Sequence, residues 1–257
     1  MSIRTLSLAL ICTAAACFAQ SSNSTDFPAT FSNCSEYAGT GPIPFVQAAA
    51  MVPGHFTILS DNSHNATLVV RSTSCQSISV DNFGPEPGVI AHIGVSVVSP
   101  DGTGDINNFT VAFATNNTRL AQRLKRAGLP VIFDSDLVYQ VTPNPPITTS
   151  ELYSEVSPDD LTPGWSLDGQ VTNNAFLTTP FLANWWYQGP KGVIRMSTNF
   201  PSITFKAAQA TVTTRLSSPL GKLIQSNHYS FDANTLRASD FNVRGEYTSA
   251  NLSVTVR

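Results

Sequence analysis

Leu124-Lys125-Arg126-Ala127-Gly128-Leu129-Pro130 runs through Val131-Ile132 into Phe133-Asp134-Ser135-Asp136-Leu137, and this stretch decides how the chain is read. Its first half closes a helix. Leu120, Ala121, Leu124 and Ala127 recur at helical spacing, Asn117 or Thr118 stands where a cap belongs, and Gly128 with Pro130 stops the turn. Arg119, Arg123 and Arg126 fall off that apolar stripe, and Lys125 sits at its border. Taken alone, a lysine among three arginines reads as a solvated helix face. Asp134-Ser135-Asp136 reads as a turn, because further oxygen ligands at calcium spacing are missing.

Outward from this helix the pattern changes to strands. Short apolar or alternating runs predict them over Ala66–Val80, Val89–Val98, Phe109–Ala114, Leu137–Val141, Ala175–Trp186, Gly192–Thr198, Ile203–Leu216 and Leu252–Val256. Gly and Pro punctuate the gaps, and Asp101-Gly102 predicts a tight turn. A second, Ala-rich helix is expected over Pro44–Met51, ending at Pro53. Thr142–Gln170 is rich in Pro and acid and reads as a long loop. The fold class is therefore mainly β with two short helices, in a single domain over residues 20–257.

Composition narrows the function. Of 257 residues, 42% are hydrophobic and only 12% charged, half the usual share, with a net charge of −3. That excludes a charge-rich disordered chain and leaves no basic footprint for nucleic acid. Residues 1–19 read as a signal peptide: Arg4 is the positive region, Leu6–Phe18 the apolar run, and Cys17-Phe18-Ala19 the small-residue cleavage site. A lipobox ending at Cys17 competes, with Ala14 a poor residue for it. The run is shorter than the ~20 residues of a transmembrane helix, and no other segment reaches that length. The expected location is extracellular.

Two further features agree with export. After cleavage, Cys34 and Cys75 remain, and an even pair in an oxidising compartment is expected to form a disulfide. A metal pair lacks other ligands at suitable spacing. Asn-x-Ser/Thr triplets begin at Asn23, Asn33, Asn65, Asn108, Asn116 and Asn251, with Asn65 and Asn116 expected in exposed turns. His92 lies in an apolar strand and reads as a core residue. His55, His64 and His228 form no triad pattern. Asn184-Trp185-Trp186-Tyr187 either closes a core or lines a pocket for a flat ligand.

The helix string and the acidic turn after it resemble the acetoacetate decarboxylase family, where a helix ends in Lys-Lys-x-Gly-x-Pro and leads into a strand. Gly41-Pro42 before a short helix reaching Val52-Pro53, and Ile203–Leu216 late in the chain, follow in the same order. The resemblance implies a closed β-barrel around a small internal pocket. It also implies amine catalysis without a cofactor: Lys125 falls on the family's nucleophile, Arg126 on its neighbouring cation, and Glu86 or Asp81 on its glutamate. A lysine must be neutral to form a Schiff base, and burial beside a cation lowers its pKa from ~10.4, the known basis of activation in that family. The family's substrate-holding arginine has no counterpart around Gly41–Ala48, where Gln47 stands.

Two function classes follow. One is a secreted lyase acting through Lys125 on a keto acid or polyketide-like carbonyl compound, with a place in secondary metabolism. The other is a secreted, non-catalytic β-barrel glycoprotein that binds a small apolar ligand. Neither reading sets the oligomeric state.

Overall fold

A computed structural model describes residues 25–81, 83–144, 149–157, 164–231 and 241–257. The signal segment and Asn23 lie outside them. Eleven strands dominate: β1 (Phe27–Pro44), β2 (Asn65–Val80), β3 (Glu86–Ser96), β4 (Ile106–Thr115), β5 (Val131–Phe133), β6 (Val138–Asn144), β7 (Thr149–Val156), β8 (Trp165–Gly189), β9 (Gly192–Thr214), β10 (His228–Phe231) and β11 (Asn242–Val256). Three helices accompany them: α1 (Phe45–Ala49), α2 (Thr118–Ala127) and α3 (Pro219–Ile224).

The hydrogen-bonded neighbours return on themselves. β1 through β4 pair antiparallel in sequence order, β4 runs parallel to β8 along Ile106–Phe109, and β8 pairs with β9. β9 then pairs with β11, and β11 with β1. β1, β2, β3, β4, β8, β9 and β11 thus form a ring of strands, from which β7, β6 and β10 extend. Irregular register along β8 and β9, between Val171 and Phe181, lets these long strands bend enough to join both parts.

Side-chain alternation sends neighbouring residues to two hydrophobic cores on opposite faces of the sheet. Val69, Ile90, Phe113, Trp185, Met196, Phe200 and Tyr247 pack in one, together with the α2 residues Leu120, Ala121, Leu124 and Ala127. Leu68, Val70, Ala91, Phe109, Leu152, Trp186 and Val212 pack in the other. The middle of β2 is consequently buried on both faces, from the apolar Leu68-Val69-Val70 through the polar Arg71-Ser72-Thr73.

Alternation along β1 breaks at one place. Phe27, Ala29 and Phe31 face the α2 core, and strict alternation would send Cys34 and Glu36 to the other side. Asn33, at φ 51°, drops out of the pairing with both neighbouring strands, and Thr248 and Gln76 opposite it are skipped as well, so the register is the same on either side. Past this point Cys34 and Glu36 lie on the α2 face. Cys34 and Cys75 are direct cross-strand partners and form the expected disulfide.

Several expectations change. There are three helices rather than two: Ser218 caps α3 by accepting from the Gly221 amide at 2.8 Å, ahead of Pro219 at its first position. Within the expected loop Thr142–Gln170, Thr149–Val156 is strand β7 and β8 begins at Trp165; pairing with β6 and β9 overrides the local composition. Gly192–Thr198 and Ile203–Leu216 are parts of one strand. Asp101-Gly102 lies in a longer connection, where the Asp101 carboxylate accepts from Thr103 and pairs with Arg195 at 2.5 Å.

Closing a loop of 41 residues, the disulfide is worth about 4 kcal/mol on the chain-entropy account. Urea unfolding of a Cys34→Ser, Cys75→Ser double variant should show a loss of roughly 2–4 kcal/mol with the midpoint shifted accordingly. An unchanged midpoint would mean that the bridge adds nothing to the ring.

Candidate functional site

The residues singled out for amine chemistry do not meet. In α2, Asn117 Oδ1 accepts from the Leu120 amide at 2.9 Å, and Gly128 at φ 107° closes the C-terminus, as its spacing predicts. Burial of Leu120, Leu124 and Ala127 then sets which way the helix faces. Successive residues turn by about 100°, so the residue after Leu124 points away from the core. Lys125 and Arg126 are both exposed. The Arg126 carbonyl accepts from Lys191 Nζ at 2.9 Å. Glu86 is exposed at the start of β3, 3.8 Å from Arg119, and Asp81 pairs with Arg123 at 2.6 Å. Lys125, Arg126 and Glu86 thus lie on a charged outer surface of helix and loop.

What the α2 face of the sheet encloses is different. Val69, Ala183, Phe181, Phe200, Phe205 and Val243 wall a cavity of about 430 Å³, with Trp185 at one side and Phe176, Leu177 and Phe241 towards its mouth. Two charged residues belong to the lining, Glu36 from β1 and Arg71 from β2. They are 6% and 7% exposed. Glu36 Oε2 accepts from Arg71 Nη2 at 2.7 Å, Arg71 Nε at 3.0 Å and Thr73 Oγ1 at 3.2 Å, with the Tyr247 hydroxyl at 3.5 Å.

The electrostatics follow from this packing. Burial works to lower the Arg71 pKa, but the facing Glu36 carboxylate outweighs it and holds the guanidinium above its ordinary value. Burial, reinforced by the Glu36 charge, pushes the Tyr247 phenol well up, so it stays a neutral donor. His92 is the direct partner of Arg71 on β3. It stacks on Trp185 with ring centroids 3.5 Å apart, meets Phe113 edge-on, and places Nε2 2.9 Å from Thr110 Oγ1. Burial and then the nearby Arg71 charge lower its pKa well below the ordinary value, which keeps the ring neutral.

The aromatic cluster Asn184–Tyr187 divides between the two readings the sequence allows. Trp186 is core: its Nε1 donates to Asn107 Oδ1 at 2.9 Å. Trp185 lines the cavity and lies flat across Gly94, where a Cβ would come within 2.5 Å of Trp185 Cζ3 and 2.6 Å of the Phe109 carbonyl oxygen. Only a glycine admits the ring there. The Trp185 indole N–H is buried and finds no hydrogen-bond partner among the described residues.

Among the described residues, no three His, Cys, Asp or Glu side chains cluster as a metal site, and no helix is long and apolar enough to cross a membrane. The glycosylation triplets also sort by burial. Asn33 and Asn251 are exposed. Asn65 is half-buried and its amide donates to Asp61 at 3.2 Å. Asn116 is not in an open turn: its Oδ1 accepts from the Val89 amide at 2.7 Å and its Nδ2 donates to the Leu137 carbonyl at 3.1 Å. Asn108 is 1% exposed within β4, so the folded chain has no room for a glycan there.

No family model matches this sequence, and no curated protein matches it either. Solved structures do match in fold. An acetoacetate decarboxylase superimposes with a TM-score of 0.57 at 9% identity, over 90% of this chain and 89% of that one. An acetoacetate decarboxylase-like enzyme from Sphingomonas wittichii RW1 gives 0.54 at 9% identity, over 90% and 91%. The enduracididine biosynthesis enzyme MppR, complexed with the condensation product of pyruvate and imidazole 4-carboxaldehyde, gives 0.52 at 10% identity, over 89% and 87%. The chain is similar in fold to these acetoacetate decarboxylase and decarboxylase-like structures, at a distance where identity carries no residue roles.

Because His92 stays neutral in the folded chain and titrates near pH ~6.5 when unfolded, the unfolded state takes up the extra proton on acidification. Stability should be flat above pH ~6.5 and fall below it by up to about 1.4 kcal/mol per pH unit. Denaturant titrations between pH 5 and 8 check this, and His92→Gln should remove that component of the slope.

Proposed function

We propose that this chain binds a small, mostly apolar carbonyl compound in the cavity under Glu36 and Arg71, and that it does so without lysine Schiff-base chemistry. One observation carries the reading. All four lysines of the chain, Lys125, Lys191, Lys206 and Lys222, are described, and none lines the cavity. Lys206 is held against Glu246 at 2.7 Å, and the other three are exposed. A Schiff-base amine must reach the carbonyl of the bound ligand, and none of these lysines faces the cavity.

The cavity itself has the character of a ligand site. Its volume lies within the range typical of small-molecule pockets, its walls are aromatic and aliphatic, and its polar groups converge at one place. We take the strand ring as the closed barrel that encloses it. Aromatic walls supply the hydrophobic contribution, while Arg71 and the paired Glu36 carboxylate, held from behind by Thr73 and Tyr247, supply the polar end. The fold's enzymatic relatives favour a carbonyl group as the ligand's polar end, and the Trp185 indole N–H is available to receive such an oxygen. We further propose that residues 1–19 direct export, and that, among the described triplets, the exposed Asn33 and Asn251 carry glycans.

Borohydride trapping with acetoacetate and related β-keto acids, read by intact mass, should yield no lysine adduct, and no decarboxylation should be detectable. Aromatic ketones should quench Trp185 fluorescence saturably, with the same affinity in Lys125→Ala as in the wild type. A trapped adduct that disappears in Lys125→Ala would instead restore the amine mechanism.

A further inference from the structure

We infer that the cavity selects neutral carbonyl or hydroxyl compounds with a flat apolar body and rejects their carboxylate analogues. This rests on the ligand-binding role proposed above and adds the ligand's charge to it.

The lining contains one cation and one anion, and each is spent on the other. Two nitrogens of Arg71 converge on Glu36 Oε2 at 2.7 and 3.0 Å, so the charged end of the cavity is neutral as a unit. A carboxylate entering from water gives up its hydration. Inside it meets a guanidinium already compensated and, in the same cluster, the like charge of Glu36. Among the described residues, no other lining side chain carries a positive charge. The neighbouring His92 stands behind the Trp185 ring, 3.5 Å from it, and supplies none. The desolvation cost of the anion is therefore unreturned.

A neutral oxygen faces a smaller cost and gains a specific partner. Trp185 is 2% exposed, lines the cavity, and keeps a buried indole N–H with no partner among the described residues. A buried donor left unmet is unfavourable, and a ketone, ether or hydroxyl oxygen placed against it removes that penalty. The remaining walls are set by Phe181, Phe200 and Phe205, which suit a flat ring system. At the mouth Phe176 and Leu177 are 61% and 48% exposed, so a longer ligand meets an apolar rim rather than a polar one.

The pair acetophenone and benzoate tests the inference, with ethylbenzene as the oxygen-free control, measured by isothermal titration calorimetry on the full mature chain. Wild type should bind acetophenone at least about tenfold more tightly than benzoate, the equivalent of one uncompensated charge–hydrogen-bond difference. Glu36→Gln leaves Arg71 as an unpaired cation and should tighten benzoate by about tenfold or more, narrowing or reversing the preference. Trp185→Phe should weaken acetophenone several-fold while leaving ethylbenzene unchanged, and it keeps the test decisive should Glu36→Gln fail to fold. Benzoate binding to wild type as tightly as acetophenone, or no gain of benzoate affinity in folded Glu36→Gln, overturns the charge selection. Absence of binding by acetophenone, ethylbenzene and benzoate alike overturns the ligand-binding reading beneath it.

Discussion

The buried pair between Glu36 and Arg71 is the constraint around which the α2 side of the sheet is organised. Two charges taken out of water are expensive, and their mutual attraction repays that only when the remaining hydrogen-bonding capacity is met. Here β2 supplies Arg71 and Thr73, β11 supplies Tyr247, and all of them converge on one carboxylate oxygen from β1. The arrangement ties three adjacent strands of the ring in a single register. It also leaves an apolar cavity beside the pair where a solely structural core would have filled the space.

Around that pair, the local rules and the global ones meet at a few specific residues. The break in alternation at Asn33 leaves Glu36 on the α2 side; strict alternation from Phe31 would put the carboxylate on the opposite face. The disulfide sits two residues from Glu36 on β1, pairing with Cys75 on the strand that carries Arg71. Gly94 yields the space that Trp185 occupies, and Trp185 in turn covers His92. A neutral imidazole, a neutralised guanidinium and a phenol held protonated leave a site with strong dipoles and no net charge. In the proposed function, that setting orients a ligand.

The fold neighbours and the helix string agree on architecture, and the charged residues of that string lie outside the cavity. Folds host many functions, because function resides in the side chains that reach the pocket. The α2 sequence kept the helix, its cap and its glycine stop. The buried stripe of Leu120, Leu124 and Ala127 determines which residues face inward, and Lys125 is not among them. A match at the level of residue order thus coexisted with a mismatch at the level of direction.

Much of this was legible in the linear chain, and the reasons are physical. Helical spacing, the Asn117 cap and Gly128 are local signals, and α2 formed where they placed it; most strands followed from apolar runs bounded by turn residues, and two cysteines on neighbouring strands became a bridge. The Ser218-Pro219 start of α3 was equally local and went unread. Strand β7 and the continuity of β8 were hidden, because partners far along the chain, not their own Pro- and acid-rich residues, hold them extended. Glu36 was hidden for a related reason: the unpaired step at Asn33 breaks the two-residue alternation by which a strand announces its inner face. Arg71 did leave a trace, as a charge inside an apolar strand in a charge-poor chain, but its meaning required knowing what stood opposite. Sequence alone determined a mainly β protein with a capped, amphipathic helix, since those features depend on neighbours within a few residues. Only tertiary structure decided where the site lies, because facing direction and long-range pairing arise from the closing of the strand ring.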